Sequence, residues 1–535
     1  MPEVIIIGGG FSGLAMAVQL RRRLGMQDFL LIERSSSLGG VWANNRYPGV
    51  ACDIPTALYS LSFAQEYWKN LFADGASIRD YAERVANQYH IVESNTLFQT
   101  EVVSARWKDV AHRWTVQVKE RTLHGSKEPV DYVCKILISA VGNLSNPNKI
   151  NIKGIEHFQG SVMHTGCFEE QVDLRKKHVV VLGNGCSATQ LVPAIAPHVK
   201  SLTVFGPSKQ WYLPRPSLPA AWLFNTMSKY TSLGQHLLRY TLFAACEEGF
   251  QAMHWKAGIS YRADKEKLSA AYIRQSTPAK YHDDIIPDFA FGRKRCVFDN
   301  GFLRTLHRSN VEFYCEHVSE IVEDGIIRPN RQKVFADVII AATGFQAQRY
   351  LQPIHIVGQN EQDLHEHMTA EGRGLSSYKG VFYSSFPNFA TVYGPNSGTG
   401  HSSAIFTQEC QVNMILKHLV RPILQEENVK SVAIKPEKEA EWQRWLRKEM
   451  SQTIWEQPEN VGWYSDENGF CTTLYPRSQI HLWWSLMRTS SSDFIYKPCQ
   501  NKSMYGSTKI FEIASGAVAL FLLVMLLSLF LSLCV

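Results

Sequence analysis

Two glycine-rich segments carry the residues whose types and spacing could do chemistry. Gly8-Gly9-Gly10-Phe11-Ser12-Gly13 follows the apolar run Val4 to Ile7, and Gly183-Asn184-Gly185-Cys186-Ser187-Ala188 follows the strand-like run His178 to Leu182. Both fit G-x-G-x-x-G/A, a turn between a strand and a helix. The first glycine permits the tight turn, the second lets a pyrophosphate approach the backbone, and the third small residue lets helix and strand pack. Each following helix then aims its free amides and its dipole at that phosphate. The chemistry on offer is dinucleotide binding, twice in one chain. Gly8, Gly10 and Gly13 are the candidates at the first site; Gly183, Gly185, Cys186, Ser187, Ala188 and Thr189 are those at the second.

The two sites differ in their acids. Past Gly13, Phe29 to Ile32 reads as the next strand and ends at Glu33, where a carboxylate accepts from both ribose hydroxyls. The second site has no such acid: Ser201 to Phe205 runs into Gly206-Pro207-Ser208-Lys209. A 2′-phosphate would repel a carboxylate, so its absence beside a cation points to NADP rather than NAD, with Lys209 as the candidate contact.

These turns need strands and helices to hold them. Ile136 to Gly142 and Asp337 to Phe345 are near copies, apolar strands ending in small residues, and they suit a chain that crosses between two nucleotide domains twice. The fold class expected is α/β, with two Rossmann-like dinucleotide-binding domains. Residues 1–150 form the first part of the first domain, residues 151–335 the second domain, and residues 336–487 the return to the first. An aromatic-rich helical insertion fills about 212–287 and reads either as packing on itself or as a lid over the second cofactor. Residues 488–513 read as a linker.

The last 22 residues, Ala514 to Val535, carry no charge, and that length spans a hydrocarbon core of roughly 30 Å as a helix. Lys502 and Lys509 precede it and no charge follows. The expectation is a C-terminal transmembrane tail anchor with the body in the cytosol, the endoplasmic reticulum being favoured. A net charge of +6 without a basic block excludes a nucleic-acid partner. Eleven scattered cysteines without C-x-x-C or Cys/His clustering argue against a disulfide framework and against a metal site.

Past Glu33, Gly39-Gly40-Val41-Trp42 and Asn45-Arg46-Tyr47-Pro48-Gly49 lead to Cys52-Asp53 and Tyr59. Such a Gly/Pro-rich loop is irregular and has the chemistry to wrap a large cofactor. G-G-x-W, N-R-Y-P-G and C-D in this order resemble the flavin-wrapping loop of the Baeyer–Villiger monooxygenases, in particular the hydroxyacetophenone-monooxygenase-like members of the class B flavin monooxygenase superfamily. The resemblance runs over nearly all of residues 1–485. It implies FAD in the first site, touched by Ser12, Glu33, Val41, Trp42, Asp53, Tyr59 and Val102, and NADPH in the second. A Gly-rich turn at Tyr393 to His401 matches the superfamily's G-P-N turn near the flavin.

Phe291-Gly292-Arg293-Lys294-Arg295 holds three adjacent cations, which taken alone suit a solvated face. The family's G-x-K-R turn at this point supplies an arginine beside the flavin. By that resemblance Arg295 is catalytic, Lys294 lies near the NADP phosphate, and Asp53 orients Arg295. A peroxyflavin anion attacking a ketone needs a fixed guanidinium beside it. The pattern Phe158-x-Gly160-x-x-x-His164-x-x-x-Phe168 reads as a linker with fixed anchor points and matches the superfamily just before its second glycine motif. Its Phe168-Glu169 ending is closer to the branch that oxygenates nitrogen and sulfur.

The reading is therefore an FAD- and NADPH-dependent monooxygenase that uses O2 to insert an oxygen beside the carbonyl of a hydrophobic ketone. N- or S-oxygenation stays open as the alternative. A disulfide reductase of similar layout would need a cysteine pair near the flavin, and the spacing for one is missing.

Overall fold

The computed structural model describes residues 1–122, 125–126, 128–216, 221–456 and 462–499. All four residues of Val4–Ile7 are buried, as a parallel strand covered on both faces requires. It pairs in parallel with Phe29–Ile32 and Ile136–Ser139, and Thr96–Leu97 and Phe389–Thr391 flank these to complete a five-stranded parallel sheet. Successive side chains alternate between faces. Val4 and Ile6 share a core with Leu14 and Val18 of the helix Phe11–Leu24. Ile5 and Ile7 share one with Trp107, Trp114 and Val116 from the antiparallel pair Thr100–Lys108 and Arg113–Thr122.

The second domain repeats the plan. Its five parallel strands run in the order Val311–Tyr314, Ser201–Phe205, His178–Leu182, Val338–Ala341, Ser161–His164. Two expectations change here. The segment 158–168, read as a linker, contributes the edge strand Ser161–His164. A boundary at 335/336 falls one strand early, because fully buried Val338–Ala341 lies between two strands of this sheet.

The insertion straps the two domains together. Within Ser232–Glu248, Leu238, Leu242 and Phe243 join the first domain's core, and buried Arg239 donates to Ala57 O and Ser60 O, both at 2.8 Å. Ile273 of Ile259–Ser276 joins the second domain's core instead. The return segment also reaches further than expected: Phe494–Pro498, placed by the sequence in a linker, pairs antiparallel with Val429–Ile434.

The expected C-terminal transmembrane helix has no counterpart among the described residues. Among the described residues no helix is long and apolar enough to cross a membrane, and residues 514–535 lie outside them. The fold class is corrected to two Rossmann-like domains with a helical insertion, and nothing among the described residues supports the tail anchor or the endoplasmic-reticulum localisation.

His418 stacks on Phe494 at 4.9 Å and is 1% exposed. Burial, helped by Lys417 and Lys379 against Asp493, drives its pKa down from 6.5 to about 3. The unfolded chain binds this proton first, so stability is full above the unfolded pKa and drains as pH falls from 6.5 towards 3. The slope from this group approaches about 1.4 kcal/mol per pH unit. Melting curves of wild type and His418→Leu should therefore converge on acidification, the wild type losing more. Parallel acid limbs would show that His418 takes up its proton as readily in the folded protein as in the unfolded chain.

Candidate active site

Both fingerprints open onto one cavity of about 1040 Å³. Gly8 and Gly183 begin it in the same way. Their φ angles are +103° and +114°, and a Cβ on either would lie 2.7 or 2.5 Å from the carbonyl of Ala140 or Ala342 respectively. The small residues ending the two near-copied strands are thus the partners of the two first glycines. A Cβ at Gly185 would meet no protein atom, and one at Gly10 would meet only Gly40, at 3.5 Å or more. Both second glycines present open backbone to the cavity, which is the cradle a pyrophosphate fills.

Glu33 sits at the end of its strand and lines the cavity, its Oε2 accepting from Gly9 N at 2.6 Å and its Oε1 from Ser35 N at 2.7 Å. The carboxylate is fixed yet keeps lone pairs for ribose hydroxyls. Trp42 donates from Nε1 to Tyr59 Oη at 3.0 Å and meets that ring edge-on. With Ser12, Val41 and Val102 they line the same wall. These residues and the open glycines fit FAD. On the facing wall Gly183, Gly185, Cys186, Ser187 and Lys294 line the cavity. Gly13, Ala188 and Thr189 lie behind the walls, where Gly13 packs so closely that a Cβ would stand 1.9 Å from Gly8 O.

Pro207, Ser208 and Gln210 line the cavity, and Lys209 between them does not. Phe168 packs against the second domain's core and His164 against Phe345 at 5.6 Å, neither on the cavity wall.

Asp53 and Arg295 meet inside the cavity, Arg295 Nε donating to Asp53 Oδ2 at 2.8 Å with side chains 22% and 25% exposed. Burial raises the Asp53 carboxyl, but the charge and hydrogen bond of Arg295 outweigh it and hold the group below the usual carboxylate range. Burial likewise opposes the Arg295 charge, and Asp53 more than compensates. Cys186 faces the pair as a neutral thiol, pushed up to about 11 by burial and then by the Asp53 charge.

Three further residues belong here to which the sequence assigns no role. Buried Tyr464 lines the cavity and interacts with Arg295, and Tyr393, with its phenol pushed up to about 12 by burial, does so too. Gln190 accepts from Tyr47 Oη at 2.9 Å and donates to Ala51 O at 2.9 Å, clamping the second fingerprint helix onto the loop of the first domain. A glutamine amid Ala188-Thr189 and Leu191-Val192 was its one visible signal.

Residues 6–74 match the family described as NAD(P)-binding Rossmann-like domain. A Baeyer–Villiger monooxygenase of Streptomyces coelicolor is 31% identical over 478 residues, covering 89% of this chain and 88% of that protein. One from Pseudomonas aeruginosa is 30% identical over 477 residues, covering 89% and 87%. An oxidised steroid monooxygenase solved with NADP shares the fold, with a TM-score of 0.78 at 24% identity over 93% of this chain and 99% of that one. Relatives spanning both fingerprints and the Asp53–Arg295 contact between them show that the chain belongs to the Baeyer–Villiger monooxygenase family, enzymes that use FAD, NADPH and O2 to insert oxygen beside a ketone carbonyl.

Proposed function

We propose that Arg295 and Asp53 are the catalytic pair of this monooxygenase and that its ketone is hydrophobic. The observation that carries the first statement is the 2.8 Å contact between them at the junction of the two cofactor walls. FAD, reduced by NADPH, supplies the activated oxygen; this chain supplies position and charge. Asp53 holds the Arg295 guanidinium from one side, leaving its other donors for the oxygen on which negative charge grows. Glu33 and the open backbone at Gly10 hold the first dinucleotide. Gly185, Ser187 and Lys294 hold the second. The neutral Cys186 thiol leaves the arginine's charge undivided.

The hydrophobic ketone rests on the wall beyond Arg295, where Trp463, Tyr464 and Leu474 line the cavity. A panel of ketones of increasing apolar size tests it, with products identified as esters or lactones. Each methylene that becomes buried should raise kcat/KM by up to about fourfold. Fastest turnover of the smallest, most polar ketones would overturn the substrate reading.

A further inference from the structure

The turn that carries Arg295 is held from three separate parts of the chain. Trp455 donates from its indole N–H to Gly292 O at 3.1 Å, Trp211 donates to Phe289 O at 3.0 Å, and Phe291 N donates to Glu266 Oε1 at 2.8 Å. Trp455 belongs to the first domain's return, Trp211 to the second domain just before the strand Tyr212–Pro214, and Glu266 to the insertion helix Ile259–Ser276. Beyond Arg295, Val297 N donates to Trp211 O at 2.9 Å and the strand Val297–Asp299 pairs with Tyr212–Pro214. Arg295 is therefore bracketed, and the turn before it passes through Gly292, whose φ of +93° lies in the left-handed region that favours glycine.

Trp455 is 1% exposed and does more than fill space. Its ring edge lies where a Cβ on Gly400 would touch it at 3.4 Å, so the same indole backs the Gly-rich turn at Gly398 and Thr399, which line the cavity. One side chain connects the arginine turn to the opposite wall.

We propose that Trp455 is a positioning residue, whose indole N–H fixes the Gly292 carbonyl and thereby sets where Arg295 stands between Asp53 and the cavity. This rests on Arg295 being catalytic. Trp455→Phe keeps a ring in the core and removes the donor, leaving a buried carbonyl without it. A displacement of the guanidinium by a fraction of an ångström lowers kcat for the ketone by about tenfold and leaves KM for NADPH within about twofold. The unspent oxidising equivalents leave as hydrogen peroxide, so peroxide released per NADPH rises.

The experiment compares wild type, Trp455→Phe, Arg295→Ala and the double variant for product, peroxide and NADPH consumed, with amide hydrogen exchange read over residues 289–295. Faster exchange confined to that turn, the split between kcat and KM, and no further loss in the double variant beyond Arg295→Ala are the expected results. Unchanged exchange and coupling in Trp455→Phe, with Arg295→Ala inactive, overturn the positioning role alone. Full ketone oxidation by Arg295→Ala overturns the catalytic reading and this role with it. If Trp455→Phe does not fold, Trp211→Phe removes the donor at the other end of the same turn and carries the same comparison.

Discussion

An Arg295→Ala variant loses ketone oxidation by about 10²- to 10³-fold while it continues to oxidise NADPH. That magnitude is the usual loss when one preorganised donor is removed from a developing oxyanion. The two cofactor walls remain intact, because the glycine cradles and Glu33 make their contacts independently of Arg295. Hydride transfer therefore survives and the consumed NADPH appears as hydrogen peroxide. Asp53 changes as well. Burial raises its carboxyl, and Arg295 supplies most of what holds it down, with Arg215 adding a smaller share. Without Arg295 the carboxyl titrates at higher pH, so the acid limb of the residual ketone oxidation moves upward. Parallel assays of NADPH, ester and peroxide across pH check both statements. Product formation at the wild-type rate would remove Arg295 from the chemistry.

Gly13→Ala weakens FAD retention by up to about a hundredfold. The added Cβ would stand 1.9 Å from Gly8 O and 3.1 Å from Gly8 C, and both are backbone atoms that no rotamer change can move aside. Overpacking costs about 1–3 kcal/mol, and here it is taken out of the turn that the pyrophosphate must approach. A loss at the top of that range weakens FAD binding by about a hundredfold. The ratio of flavin to protein absorbance after gel filtration measures it, and a variant as yellow as wild type would show that the helix shifts freely. Ala188 holds the corresponding place in the second fingerprint and is fully buried without being a glycine.

What could be read in advance depended on how local each feature is. Glu33 and the fingerprints were legible because strand, turn and helix follow one another within some thirty residues of chain. The resemblance located Asp53 and Arg295, and the structure brings them into contact across 242 positions. Lys209 stands off the cavity wall that Ser208 and Gln210 line, and a cation's place in sequence does not say which way its side chain points. The edge strand Ser161–His164 was hidden because its flanks carry no period and its partner, Val338–Ala341, comes far downstream. The helical insertion was recognised as helical, but its division between two domain cores depends on surfaces that meet only in the folded molecule.

Two dinucleotide folds, the acid at one and the lack of it at the other, are written in local sequence, since tight turns and alternating burial are properties of short stretches of backbone. Only the tertiary structure decided that both cradles share one cavity and that Gln190 clamps them face to face. It alone placed Arg295 on a turn held by Trp211, Glu266 and Trp455. Those contacts join side chains from remote segments, and their geometry is set by how whole surfaces pack, which no local pattern encodes.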